Sequence, residues 1–255
     1  MSNYLPGPAL SVHNLSVTFA NENGGLKVLR TLNFSVLPQE FVCVLGPSGS
    51  GKTTLLRVLA GLLKPTSGEI SYQPSEGASA RSMIGYVFQQ ANLMPWRTAQ
   101  QNITLPLELQ GVAPLVAHAR AEELIRKVGL QGFEHSWPRD LSGGMAQRVA
   151  IARALILDPD VLLLDEPFGS LDALTRERMG SELLHLWQAN RITVIMVTHS
   201  ISEALLLADR MLVLTPRPGQ ICLDLPVDLE RPRQENVRYT AHFGELAQQL
   251  RAAIG

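Results

Sequence analysis

Apolar residues along the chain switch repeatedly between short β-type runs and longer helical spacing. Residues 11–19, 28–37 and 41–45 predict strands, with Gly24-Gly25 and Pro38-Gln39 as turns between them. The stretch 53–63 is apolar nearly all round, with Arg57 its one charged interruption, so a helix buried on most sides is expected. Strands follow at 69–72 and 83–88, separated by a polar loop over 74–82. From residue 89 to 140 the texture becomes helical. Ala121, Leu124, Ile125 and Val128 fall at i, i+3, i+4 and i+7, and Gly129 supplies a stop. This region reads as a helical insert. Trp96 and Trp137 near its ends fit either ordinary packing or a docking surface.

Beyond the insert, Ser142 caps a helix running to about 157, and Asp158-Pro159 breaks it. Residues 161–164 form a continuous apolar run of the kind buried in a parallel sheet. A helix opens at Asp172 with Met179, Leu183, Leu186 and Trp187 on one face. Then come a strand at 192–198, a helix at 202–208, a strand at 211–215, a turn at Arg217-Pro218-Gly219-Gln220 and a strand at 221–225. A basic, proline-bearing linker over 230–238 leads to a last amphipathic helix carrying Phe243, Leu246, Ala247 and Leu250. The alternation predicts an α/β fold with a mainly parallel sheet and an antiparallel β portion at the N-terminus.

One junction changes the picture. Gly46-Pro47-Ser48-Gly49-Ser50-Gly51-Lys52-Thr53-Thr54 lies between the apolar strand 41–45 and the leucine-rich helix. Three glycines and a proline make a turn whose backbone N–H groups converge on an anion, and the helix adds the positive end of its dipole. Lys52 supplies a mobile charge for β/γ-phosphates and the Thr53 hydroxyl a ligand for Mg²⁺. The pattern is that of a nucleoside triphosphate site. At the end of strand 161–164, Asp165 and Glu166 pair two carboxylates, one suited to Mg²⁺ and the other to orienting or deprotonating a water. His199 ends another β-branched strand, where a γ-phosphate contact and a structural hydrogen bond are both open readings. Leu141-Ser142-Gly143-Gly144-Met145 makes a capped, glycine-rich helix start, a second candidate anion site.

Composition narrows the class. Lys and Arg number 22 against 23 Asp and Glu, a net charge of −1, so no basic excess exists to hold nucleic acid or an anionic membrane. Cys43 and Cys222 both lie in apolar strand-like runs and read as small buried hydrophobes. No signal peptide is evident at the start, and no apolar run approaches the ~20 residues that cross a bilayer.

Taken as a set, these motifs resemble those of ATP-binding cassette (ABC) ATPases, over essentially the chain through Leu225. The resemblance makes Gly46–Thr53 the Walker A motif, Gln89 the Q-loop glutamine, 141–145 the signature, 161–165 with Glu166 the Walker B motif, Ser170-Leu171-Asp172 the D-loop and His199 the switch histidine. Met145 departs from the glutamine many members carry. Phe19, by pattern alone a core residue, matches the aromatic that stacks on adenine. The resemblance implies an ABC ATPase domain over 8–235, a helical subdomain at about 90–158 inserted in it, and a C-terminal helix over 236–255. It further implies that Asp165, Thr53 and Gln89 order Mg²⁺, that Glu166 activates the lytic water, and that ATP on the phosphate loop is capped by Ser142, Gly143 and Gly144 of a second copy, head to tail. An integral membrane permease subunit would dock near Gln89 and the helical subdomain.

Met94-Pro95-Trp96-Arg97, 166–172 and 217–221 look like the nitrate/sulfonate/taurine importer group, which is also similar to importers of thiamine-type precursors. The resemblance then implies a peripheral subunit on the cytoplasmic face of the inner membrane, served by a periplasmic or lipid-anchored substrate-binding protein. The regulatory C-terminal domain of some importer ATPases is not expected. An exporter and a soluble, non-transport ABC ATPase remain alternatives; the second typically carries two cassettes or long coiled coils, and no sustained heptads occur here.

Overall fold

The computed structural model describes residues 7–20, 25–73, 84–169, 171–190 and 192–255. In chain order the elements are β1 (Leu10–Phe19), β2 (Leu26–Val36), β3 (Phe41–Leu45), α1 (Lys52–Leu59), β4 (Ser67–Tyr72), β5 (Ile84–Val87), α2 (Ala99–Leu109), α3 (Pro114–Lys127), α4 (Gly143–Leu155), β6 (Val161–Asp165), α5 (Ala173–Asn190), β7 (Thr193–Val197), α6 (Ile201–Leu207), β8 (Arg210–Leu214), β9 (Ile221–Pro226) and α7 (Ala241–Ile254). They fall into two compact units, Met1–Ser82 with Thr193–Gly255, and Met83–Ile192. The expected loop over 74–82, Gly24 and Ser170 lie outside the described residues.

In the first unit β2, β1 and β4 form the antiparallel sheet expected at the N-terminus. β3 lies between β7 and β8, parallel to both, and β9 pairs antiparallel with β8. All five residues of β3 are fully buried, as a strand covered on both faces requires. Cys43 is among them, and burial pushes its thiol pKa well up, with Glu203 and Asp209 adding to the shift. Cys222, in contrast, is exposed on the edge strand β9, where side chains alternate between half-buried and solvent-facing. The expectation that both cysteines are buried fails there, because 221–225 has one open edge and one open face.

α1 is shorter than the apolar run suggests. It stops at Leu59, where Gly61 takes φ +70° and the N–H groups of Gly61 and Leu62 return to the carbonyls of Val58 and Arg57, a Schellman closure. Leu62 is left 60% exposed as a result. The phenol of Tyr72 donates to the Leu59 carbonyl, satisfying another orphan of that helix end.

In the second unit β5 and β6 are parallel, and α2, α3 and α4 pack on one another. α2 begins with a capping box, Thr98 with Gln101, and α3 with Pro114 at its first turn. Ala121, Leu124, Ile125 and Val128 are buried as their spacing predicts, and Gly129 takes φ +65°. Two side chains organise the loop that follows β5. Arg153 on α4 donates to the carbonyls of Ala91 (2.8 Å) and Asn92 (3.0 Å). Asn102, fully buried on α2, accepts the Met94 N–H (2.7 Å) and donates to the carbonyls of Met94, Arg97 and Thr98. Asn102 therefore replaces the secondary structure that residues 94–98 lack. Asn102→Ala should remove the side-chain partner of the Met94 N–H and the Arg97 carbonyl, while the Met94 and Thr98 carbonyls keep the N–H groups of Arg97 and Asn102, and lower the unfolding free energy by about 2–3 kcal/mol, read by urea denaturation.

Candidate functional site

In the first unit β3 delivers the chain into the phosphate loop. Gly46, Gly49 and Gly51 take φ of +152°, +76° and +99°. At Gly51 space adds to the conformational demand, since a Cβ would stand 2.6 Å from Leu29 Cδ2 and 3.0 Å from Val28 Cγ1. Gly51 is also the N-cap of α1, and no side chain caps that helix start. The Lys52 ammonium, largely buried, donates to the carbonyls of Gly46 (2.8 Å) and Pro47 (3.0 Å), which holds it over the loop. Ser50 is fully buried and its hydroxyl has no hydrogen-bond partner among the described residues. Ser48 and Gly49 are exposed, Pro47, Thr53 and Thr54 half-buried. A left-handed glycine cradle, an orphaned buried hydroxyl, one ammonium and an uncapped helix start together fit a polyphosphate.

His199 belongs to the same unit. Val44 on β3 pairs with Val197 on β7, so two residues further along each strand Gly46 and His199 stand level beyond the carboxyl ends of the two strands. The imidazole is exposed, whereas Thr198 beneath it is buried. Phe19, at the end of the β1–β2 ladder opposite Leu26, is 40% exposed. The core reading of Phe19 is therefore wrong, because β1 runs past the sheet's packed face before it ends.

In the second unit Asp165 ends β6, buried, and accepts a hydrogen bond from the Tyr86 phenol (3.1 Å). Glu166 follows at φ +45°, and its Oε2 accepts from Gln89 Nε2 (3.3 Å). Gln89 is exposed and its approach is steadied by Gln147, whose amide donates to the Phe88 carbonyl (3.2 Å). On a turn of their own, Ser142 caps α4 by accepting the Met145 N–H (3.3 Å). Ser142 and Gly143 are exposed, while a Cβ on Gly144 would come within 3.0 Å of Thr175 on α5. Trp96 is 69% exposed, so packing does not account for it; Trp137 is partly exposed. No group of three or more His, Cys, Asp or Glu among the described residues is arranged to hold a metal by itself.

A family model described as ABC transporter matches residues 29–169. An ABC transporter ATP-binding protein of Methanocaldococcus jannaschii is 49% identical over 88% of this chain and 84% of its own length. The chain belongs to the ABC transporter family. Its ABC relatives include the nitrate import ATP-binding protein NrtD of Synechocystis sp. (42% identical; 90% of this chain, 88% of that one) and the taurine import ATP-binding protein TauB of Burkholderia pseudomallei (46%; 87% and 85%). A solved ATP-binding cassette, dimeric and bound to ADP and Pi in a post-hydrolysis state, matches with TM-score 0.75 and 32% identity, covering 87% of this chain and 100% of that one.

Within this ABC protein, sequence reasoning missed Tyr86 and Gln147, each of which holds a motif residue or its neighbour. The alternation along β5 was the available signal, since it turns Tyr86 and Phe88 to one side; their rings lie 4.4 Å apart. Gly219 belongs to the turn expected at 217–220 and does more than reverse the chain. Its N–H donates to the Val28 carbonyl (2.8 Å), its own carbonyl accepts from Arg30 N–H (3.0 Å), and a Cβ there would lie 2.2 Å from the Ser50 carbonyl. This turn thus braces the ABC phosphate loop from behind, by direct backbone contact. Gly219→Ala should lower stability by about 1–3 kcal/mol through overpacking and weaken ATP binding with it, measured by urea denaturation and by nucleotide titration.

Proposed function

We propose that this chain is the ATP-binding and ATP-hydrolysing subunit that energises an importer of a small solute of the nitrate, sulfonate or taurine kind. The observation that carries the reading is the phosphate cradle at Gly46–Thr54, whose buried Ser50 hydroxyl, without a partner among the described residues, and left-handed glycines fit an anion. The relatives named for nitrate and taurine import support the solute class.

The loop backbone and Lys52 bind the β- and γ-phosphates, and half-exposed Phe19 offers a face for adenine. Thr53, Asp165 and Gln89 are the residues that would hold Mg²⁺. When bound, that ion neutralises charge building on the phosphate oxygens. Glu166 accepts the proton of the attacking water, and Gln89, already hydrogen-bonded to it, reports on its orientation. His199 contacts the γ-phosphate. Exposed Ser142 and Gly143, with Gly144, close over ATP held by a second copy arranged head to tail.

No helix among the described residues is long and apolar enough to cross a membrane. The relatives named as import ATP-binding proteins support permease subunits as the partners that carry the solute across. Exposed Trp96, on the segment after Gln89, supports docking of such a subunit there. The chain then works at the cytoplasmic face of the membrane, and a substrate-binding protein of the same system selects the solute.

Glu166→Gln should bind ATP normally, lose turnover by roughly a hundredfold or more, and accumulate ATP-bound dimers on size-exclusion chromatography. Hydrolysis at the native rate would overturn the assignment of the base. Lys52→Ala removes a charge-assisted phosphate contact, so calorimetry should record ATP affinity weakened by about 10- to 100-fold. Unchanged affinity would count against the phosphate-loop reading itself.

A further inference from the structure

The linker over 230–238 has no part in the roles above, yet it contains a deeply buried arginine. Arg233 is 7% exposed, and its guanidinium donates to four backbone carbonyls. Nε reaches Leu229 (3.1 Å), Nη1 reaches Leu205 (3.0 Å) and Ala208, and Nη2 reaches Val227 (3.0 Å). Beside it Arg231 donates from Nη2 to the Leu207 carbonyl (2.7 Å) and to Asp209 Oδ1 (2.6 Å). Leu205, Leu207 and Ala208 close the last turn of α6, whose carbonyls have no acceptor role left inside the helix. Two arginines of the linker thus grip the C-terminal end of α6. α7 packs on α6 as well, burying Phe243, Leu246, Ala247 and Leu250.

The other end of α6 adjoins His199. Thr198 donates its hydroxyl to Glu203 and accepts the Ser200 N–H (3.1 Å), while Ser200 caps the helix by accepting the Glu203 N–H (3.3 Å). α6 has seven residues, so about 10 Å separate its two ends, and no glycine or proline interrupts it. α6 is thus a short, uninterrupted connection between residues 205–208 and the Ser200 cap beside His199. Asp209, held by Arg231, accepts the Phe41 N–H on Oδ2 (3.0 Å) at the start of β3. The grip on α6 is in this way referenced to the strand that feeds the phosphate loop.

Stopping a helix does not require this. A glycine or asparagine after the last turn would satisfy the same carbonyls, whereas a guanidinium taken out of water loses its hydration. Burial draws the Arg233 pKa down to about 10, with the charge of Arg231 adding to the shift. What the planar fork supplies is a fixed geometry among four acceptors.

We propose that Arg233, assisted by Arg231, is a positioning residue for His199, setting through α6 where the imidazole stands against the γ-phosphate. The inference rests on the reading of His199 given above. It is tested on the full-length chain by steady-state ATP hydrolysis and by calorimetric ATP affinity for His199→Ala, Arg233→Met and the double variant. Arg233→Met should lower kcat by about tenfold while leaving the ATP Kd within about twofold of wild type. Added to His199→Ala, it should cause no further loss, because the residue it acts through is gone. Losses that multiply in the double variant overturn the inference and leave the His199 assignment standing, as does an Arg233→Met loss of affinity that matches the loss of turnover. Wild-type kcat in His199→Ala overturns the His199 assignment instead, and the inference with it. Should Arg233→Met fail to fold, Arg231→Gln enters the same cycle, with a smaller loss of about threefold expected and the same outcomes deciding.

Discussion

A polyphosphate carries several negative charges, and this chain meets it with a net charge of −1. Bulk attraction is therefore not available, and the grip has to come from dipoles fixed in one place. Backbone N–H groups provide them only when several successive residues adopt conformations that L side chains resist, which is why the loop after β3 depends on Gly46, Gly49 and Gly51. Such a loop has little intrinsic order. Its rigidity is borrowed from a fully buried parallel strand before it, from α1 after it, and from the Gly219 turn pressed against the Ser50 carbonyl. Much of the first unit can be understood as the support that keeps a glycine-rich segment from relaxing.

The second unit solves a related problem with side chains instead of glycines. The segment from Gln89 to Thr98 is irregular, and buried backbone in such a segment must find partners. Arg153 and Asn102 take up its carbonyls, Gln147 takes the Phe88 carbonyl, and Arg148 ties the end of α3 to Glu182 on α5. The loop that leads away from Gln89 is thereby held by helices rather than by a ladder. The hydrogen bond between Gln89 and Glu166 links that loop to the carboxylate, which gives the proposed permease-docking segment a physical route to the proposed base within one unit.

What could be read beforehand follows from how local each cause is. Parallel and antiparallel strands, the Ser142 cap, the buried face of α3 and the phosphate loop all announce themselves within a few residues. Residues whose state depends on what lies opposite were read less well. Cys222 and Leu62 are apolar in sequence but sit on an edge strand and past a Schellman closure, so they face solvent. Phe19 is apolar in a β pattern yet lies beyond the packed stretch of its ladder. Asn102 and Arg233 are polar and look like surface residues, but their partners are backbone carbonyls that carry no sequence signal of their own. Long-range satisfaction of main-chain groups is the part of this fold that periodicity cannot display.

Glu166 combines an unfavourable local geometry with the position of the proposed base. A side chain with Cβ at φ +45° costs about 1–2 kcal/mol relative to the right-handed region. Asn14, Asn92 and Asp158 also take positive φ, which their short polar side chains tolerate, and so do Thr31 (φ +50°) and Gln39 (φ +65°), so positive φ alone does not mark a chemical role. If the turn after β6 served only to leave the sheet, glycine or asparagine would make it without strain. A glutamate there places a carboxylate directly after the buried Asp165 and within reach of Gln89, as the proposed base requires. Strain of this sort persists where the surroundings over-determine a conformation, and here the fully buried β6 before the residue and the Gly169 N–H bonded to the Glu166 carbonyl (3.0 Å) do so. The strained backbone accords with the proposed role of Glu166, but what singles this residue out from Thr31 and Gln39 is its place after the buried Asp165 and beside Gln89.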